Sequence, residues 1–206
     1  TQLCIYANNT FKDNNDQNGG GNAILYKGQN LLLEFPEYSD VNKSRFIEFG
    51  ENSRVDLTGV AFKDCYEQTG DGNAIKINSN AKDIILTDCT FTNCGNSGYI
   101  IKDLGARVTF NNCIFTFDDL ANSCSALDIT TNLTCSINGC SFINNNNNNE
   151  DSKSASLYYH PSNPNETISI SSCLFNNCHN TGNNFKAFSI QAQNELVFSY
   201  NEVQNI

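Results

Sequence analysis

Ten cysteines and two histidines are the residues in this 206-residue chain best suited to chemistry. Cysteines close disulfides, ligate soft metals or fill a core as small thiols. Cys-x4-Cys pairs occur at 89/94, 135/140 and 173/178. Zinc sites use shorter spacings and a second clustered pair, so the pattern predicts no metal site. His160 and His179 have no Ser, Cys or Asp partner in the sequence pattern and read as solvated corner residues. Asp13, Asp16, Asp118 and Asp119 read as acidic surface, because the regular calcium-binding nonapeptide of β-rolls is missing. No glycine-rich phosphate cradle leads from a strand into a helix. Sugar platforms favour Trp, which is absent; Tyr158 and Tyr159 are the nearest substitute. The sequence therefore predicts no catalytic residue, no metal ligand and no cofactor.

The elements that would position these residues come from a repeat. Cys4 to Phe11 shares the template φ-x-φ-x-x-C-x-F, with φ apolar, with seven later segments: 31–38, 55–62, 84–91, 108–115, 135–142, 168–175 and 196–203. A second motif lies between these units: Ala23-Ile-Leu-Tyr26, Phe46-Ile-Glu-Phe49, Ala74-Ile-Lys-Ile77, Ala126-Leu-Asp-Ile129, Ser156-Leu-Tyr-Tyr159 and Ala187-Phe-Ser-Ile190. Tyr99-Ile-Ile-Lys102 is a looser member. Apolar residues alternate with polar ones, the period of a strand with one buried face. Gly and Asn interrupt every apolar run, which excludes long helices. A β-sandwich has no reason to repeat one inward Cys-x-Phe. The chain is therefore predicted to be all-β: a right-handed parallel β-helix of about eight coils, three short strands per coil. Residues 1–206 form one such domain, expected to be a segment of a longer or polymeric solenoid. The run Asn144 to Asn149 is expected to be a mobile corner insertion.

Stacking brings equivalent residues of neighbouring coils about 4.8 Å apart, inside the Cα range of a disulfide. The candidate pairs are Cys65–Cys94, Cys89–Cys113 and Cys140–Cys173, with inward thiols stacked in the core as the alternative; Cys4, Cys124, Cys135 and Cys178 have no obvious partner. Outward positions of the first strand are read as Leu25, Glu48, Lys76, Ile101, Asp128, Tyr158 and Ser189. Ile5 and Leu32 open the outward set of the second strand. No two carboxylates are vertical neighbours on any face, and Glu48 beside Lys76 reads as a surface ion pair.

A net charge of -10 with no basic patch excludes nucleic acid as a partner and opposes docking on an anionic membrane. No apolar run approaches the roughly 18–20 residues of a membrane span, so no membrane insertion is expected. The even cysteine count and four Asn-x-Ser/Thr sequons, at Asn8, Asn42, Asn132 and Asn165, fit an extracellular, cell-surface or secreted glycoprotein. The Phe-x-x-Asn and Gly-Gly-Ala-Ile tetrads, as in Phe11-Lys-Asp-Asn14 with Gly19-Gly-Gly-Asn-Ala-Ile24 and Phe62-Lys-Asp-Cys65 with Gly70-Asp-Gly-Asn-Ala-Ile75, resemble the polymorphic outer-membrane protein (autotransporter-adhesin) repeat family. The resemblance implies a surface-exposed β-helix used for adhesion or as an extracellular scaffold. The chain departs from that family where Cys replaces Asn and where no membrane barrel follows; a protist surface or filament protein is equally compatible. The expected function is thus a non-catalytic structural or adhesive β-helix. The alternative is a carbohydrate-active β-helix, a polysaccharide lyase, hydrolase or glycan-binding module. Further coils or copies of the same protein are expected at both ends, and surface glycans or host and matrix proteins are the expected ligands.

Overall fold

The computed structural model describes residues 2–5, 24–26, 30–34, 37–38, 47–65, 71–95, 98–118, 123–131, 133–147, 156–161, 166–180, 187–192 and 194–205. They form a parallel β-helix with three walls. The first wall stacks Ile24–Tyr26, Ile47–Phe49, Asp71–Ile77, Tyr99–Asp103, Ser125–Ile129, Leu157–Tyr159 and Phe188–Ile190. The second runs from Gln2–Ile5 and Asn30–Glu34 through Arg54–Thr58, Asp83–Thr87, Arg107–Asn111, Cys135–Asn138 and Thr167–Ser171 to Glu195–Ser199. The third begins at Glu37–Tyr38 and continues through Ala61–Lys63, Thr90–Thr92, Ile114–Thr116, Ser141–Ile143 and Leu174–Asn176 to Glu202–Gln204. Every pairing between these strands is parallel, and each strand pairs with its equivalents one coil away. No helix among the described residues is long and apolar enough to cross a membrane, which is silent on β-barrels.

The Cys-x-Phe repeat builds the core. Phe62, Phe91, Phe115, Phe142 and Phe175 stack with ring centroids 4.7, 4.8, 5.2 and 4.8 Å apart and planes within 5° of parallel. Identical side chains in register lie face to face because one coil translates onto the next by a strand spacing. All five rings are fully buried. Left-handed residues bracket most of the third-wall strands. Gly59, Asp88, Asn112, Gly139, Ser172 and Tyr200 precede them, with φ between 53° and 65°. Asp64, Asn93, Asn144, Asn177 and Asn205 follow them, with φ between 49° and 55°. Gly, Asn and Asp tolerate this conformation best, and five of these eleven residues are Asn. The corner amides also bond from coil to coil, as Asn177 Nδ2 does to Asn144 Oδ1 at 2.8 Å.

The structure corrects three expectations. Tyr99–Asp103 carries a register shift against the preceding coil between Tyr99 and Ile101, so Ile101 pairs with Ile75 and Leu127 and faces inward, while Lys102 takes the outward place beside Lys76 and Asp128. In the first coil Leu3, not Cys4, pairs with Leu31, so Cys4 shares a register position with Leu32 and Asp56, and Ile5 that of Leu33. The poly-Asn run is not all insertion. Asn145 and Asn146 are buried, and Asn146–Asn147 pairs in parallel with His179–Asn180. The rest of that run lies outside the described residues.

Candidate functional site

The outer face of the first wall carries a column of Glu48, Lys76, Lys102, Asp128, Tyr158 and Ser189 in register. Strand alternation turns these residues away from the core, and the corner residues Thr130 and His160 follow two positions later in their coils. His160 Nε2 lies 2.6 Å from Asp128 Oδ1 and 3.0 Å from Thr130 Oγ1. Lys102 Nζ stands 3.9 Å from Asp128 Oδ2. The Tyr158 ring stacks on His160 at 4.0 Å, and Gln191 Nε2 donates to the Tyr158 hydroxyl at 3.4 Å. Burial, with Asp128 and Tyr158 beside it, holds the Tyr99 phenol well above its ordinary range. Four successive coils thus contribute to one cluster.

The geometry assigns roles. Asp128 is buried although it faces outward, because Tyr158, Lys102 and His160 cover it. A carboxylate accepts, so His160 carries its proton on Nε2. Nδ1 has no hydrogen-bond partner among the described residues and is left as the proton acceptor. An imidazole fixed in one tautomer by a buried carboxylate is suited to general-base work. Thr130 shares the same ring nitrogen, so it is not placed as an activated nucleophile. Nearby, Asp83 joins Arg54 and Arg107 from the flanking coils, Oδ1 lying 2.9 Å from the Arg107 guanidinium.

Sequence reasoning missed this cluster. His160 was read as partnerless, yet its partner lies 32 residues upstream in the adjacent coil. The signal was present, since Asp128 and Tyr158 occupy the same column; the misplaced Ile101 concealed Lys102. The sugar platform does not form: Tyr159 points into the core, and Tyr158 is 5% exposed beneath His160. His179 is placed by its backbone alone, opposite Asn146. Asp118 is an exposed corner residue that accepts from Asn93 Nδ2 at 2.8 Å. Asp13, Asp16, Asp119 and the sequon residues Asn8, Asn42, Asn132 and Asn165 lie outside the described residues. No group of three or more His, Cys, Asp or Glu among the described residues could hold a metal ion.

The cysteines form a second set. Cys89, Cys113, Cys140 and Cys173 follow one another in a single buried column, so Cys113 and Cys140 are neighbours as much as the candidate pairs are. Cys65 and Cys94 likewise touch through their thiols from adjacent coils. Cys135 sits inward in the second wall, level with Val108 and Ile168, and Cys124 Sγ lies 3.3 Å from Cys94 O. No disulfide is drawn between any of the nine described cysteines.

No curated protein and no solved structure matches the chain. A family model described as a right handed beta helix region matches residues 3–168. The chain belongs to the right-handed β-helix family.

Proposed function

We propose that the chain is a non-catalytic β-helix of the cell exterior, working as a structural and adhesive surface. One observation carries the reading: the outward aspartates Asp83 and Asp128 are each engaged by cationic or imidazole side chains from neighbouring coils. Both Asp128 oxygens face a partner, His160 or Lys102, and Asp83 serves two arginines. Adjacent carboxylates, which glycoside hydrolysis needs in a pair, occur in none of the described outward columns. Such walls suit contact along their length with surface glycans or matrix proteins, and the resemblance to autotransporter-adhesin repeats supports an extracellular setting. The last described coil leaves Leu196 and Phe198, whose equivalents elsewhere are buried, 44% and 39% exposed. A further coil, from the same protein or a second copy, would cover them. The test is binding of the purified chain to immobilised glycans and matrix proteins. Retention on a defined ligand supports adhesion, and no retention on any member of the panel counts against it.

A second reading, a carbohydrate-active β-helix, is favoured by the Asp128–His160 pair with its unpartnered Nδ1. It requires turnover of a polysaccharide that His160→Ala abolishes.

A further inference from the structure

The cysteine column has an internal logic that disulfide pairing does not explain. Cys89 Sγ lies 3.5 Å from Leu57 O, the carbonyl of the inward second-wall residue one coil back. Cys113 repeats this with Leu86 O at 3.5 Å, Cys140 with Phe110 O at 3.6 Å and Cys173 with Ile137 O at 3.6 Å. Leu57, Leu86, Phe110, Ile137 and Ile170 are equivalent in register. In the next coil the position holds Asn201, and Asn201 Nδ2 donates to Ile170 O at 2.9 Å, the same carbonyl of the same repeat. Asn therefore makes with an amide the contact that Cys makes with a thiol. Cys and Asn thus both reach that carbonyl, whereas Val60, level with them one coil before Cys89, carries no donor; each of the four thiols also lies 3.3–3.5 Å from the carbonyl two residues before it.

The spacing also opposes a covalent bond. The phenylalanine two residues on repeats at 4.7–5.2 Å through these coils with nearly parallel rings, so equivalent side chains are simple translations of one another. Their Cβ atoms are then about 4.8 Å apart, the interstrand spacing, whereas a disulfide holds Cβ atoms about 3.5–4.5 Å apart. The Cα criterion admits the bond and the Cβ criterion does not. Closing it would compress the wall beside the phenylalanine stack.

We propose that Cys89, Cys113, Cys140 and Cys173 are a ladder of reduced thiols that hydrogen-bond from coil to coil in place of Asn. It follows that these four cysteines do not mark an oxidising compartment and need no oxidant to reach their folded state. The column survives air because its sulfurs are sealed in the core and thiolate, the reactive form, is disfavoured there. Hydrogen bonding to Cys113 and burial both push the Cys89 thiol up. Cys173, at the end of the column, is held below the ordinary thiol range by its hydrogen bond with Cys140.

The experiment is thiol mapping on the full chain purified in air without reductant. Alkylation before and after denaturation, followed by peptide mass spectrometry, is expected to label all four only after unfolding, with no joined peptides. A peptide joining Cys89 to Cys113, Cys113 to Cys140 or Cys140 to Cys173 as the main species overturns the proposal. Independently, Cys173→Asn should melt within a few degrees of the parent, whereas Cys173→Ala should melt clearly lower. An Asn variant as damaged as the Ala variant refutes the donor role.

Discussion

Asp103 offers the sharpest perturbation. It stands in the inward column of the first wall, between Ile77 and Ile129. It is fully buried. Its Oδ1 accepts from Gly105 N at 3.2 Å and Ala106 N at 2.9 Å, and its Oδ2 has no partner. Burial outweighs the two backbone donors and raises its pKa to about 7, against 3.8 for an ordinary aspartate. The folded protein thus holds a proton that the unfolded chain releases between those two values. The stability contributed is complete below about pH 4, declines as pH rises toward 7 and is lost above it. A gap of about 3 pH units at 1.36 kcal/mol each is about 4 kcal/mol. Asp103→Asn keeps the Oδ1 acceptor and removes the titration. The difference in unfolding free energy, variant minus parent, should therefore rise by about 4 kcal/mol from pH 4 to pH 8. An amide left unpartnered at Oδ2 lowers the variant by about 1–3 kcal/mol at all pH values. Urea titrations at half-unit pH steps measure it. A difference independent of pH, or one that falls as pH rises, refutes the account of Asp103 as a buried neutral acid.

Three further perturbations follow from the packing. Phe115→Ala removes a ring stacked on both sides and should lower stability by about 3–5 kcal/mol, seen as a lower urea midpoint at unchanged slope. Gly139→Ala places a Cβ 2.4 Å from Asn112 Oδ1 at φ +64°, and should destabilise by about 1–2 kcal/mol, read as a lower Tm. His160→Ala strips the nearest partner from buried Asp128, and with Lys102 still beside it should lower stability by about 1–3 kcal/mol in the same melts.

The fold was legible because the strongest side chains repeat with the coil. Phe and Cys recur at one corner, and their stacking in register is the structure. Register within the first wall was harder to read. Ile100 and Ile101 are both buried and Asp103 occupies an inward place, so the apolar pattern fits better one residue out of phase. A buried aspartate breaks the alternation on which the assignment depends. The Asp128–His160 pair escaped for another reason. Coil length varies by several residues, so proximity across a corner is set by loop length, which periodicity does not encode. The cysteine column was located correctly, but spacing alone does not separate a thiol ladder from staples. The difference lies in Cβ geometry and in Asn201 making the equivalent contact.

The proposed function requires outer walls that bind without cutting. Its most direct test is prolonged incubation of the purified chain with a panel of polyuronates and neutral glycans, with new chain ends quantified. No new ends above the buffer control are expected. Ends that accumulate with the parent chain and vanish with His160→Ala would contradict the proposed function and establish the Asp128–His160 pair as catalytic.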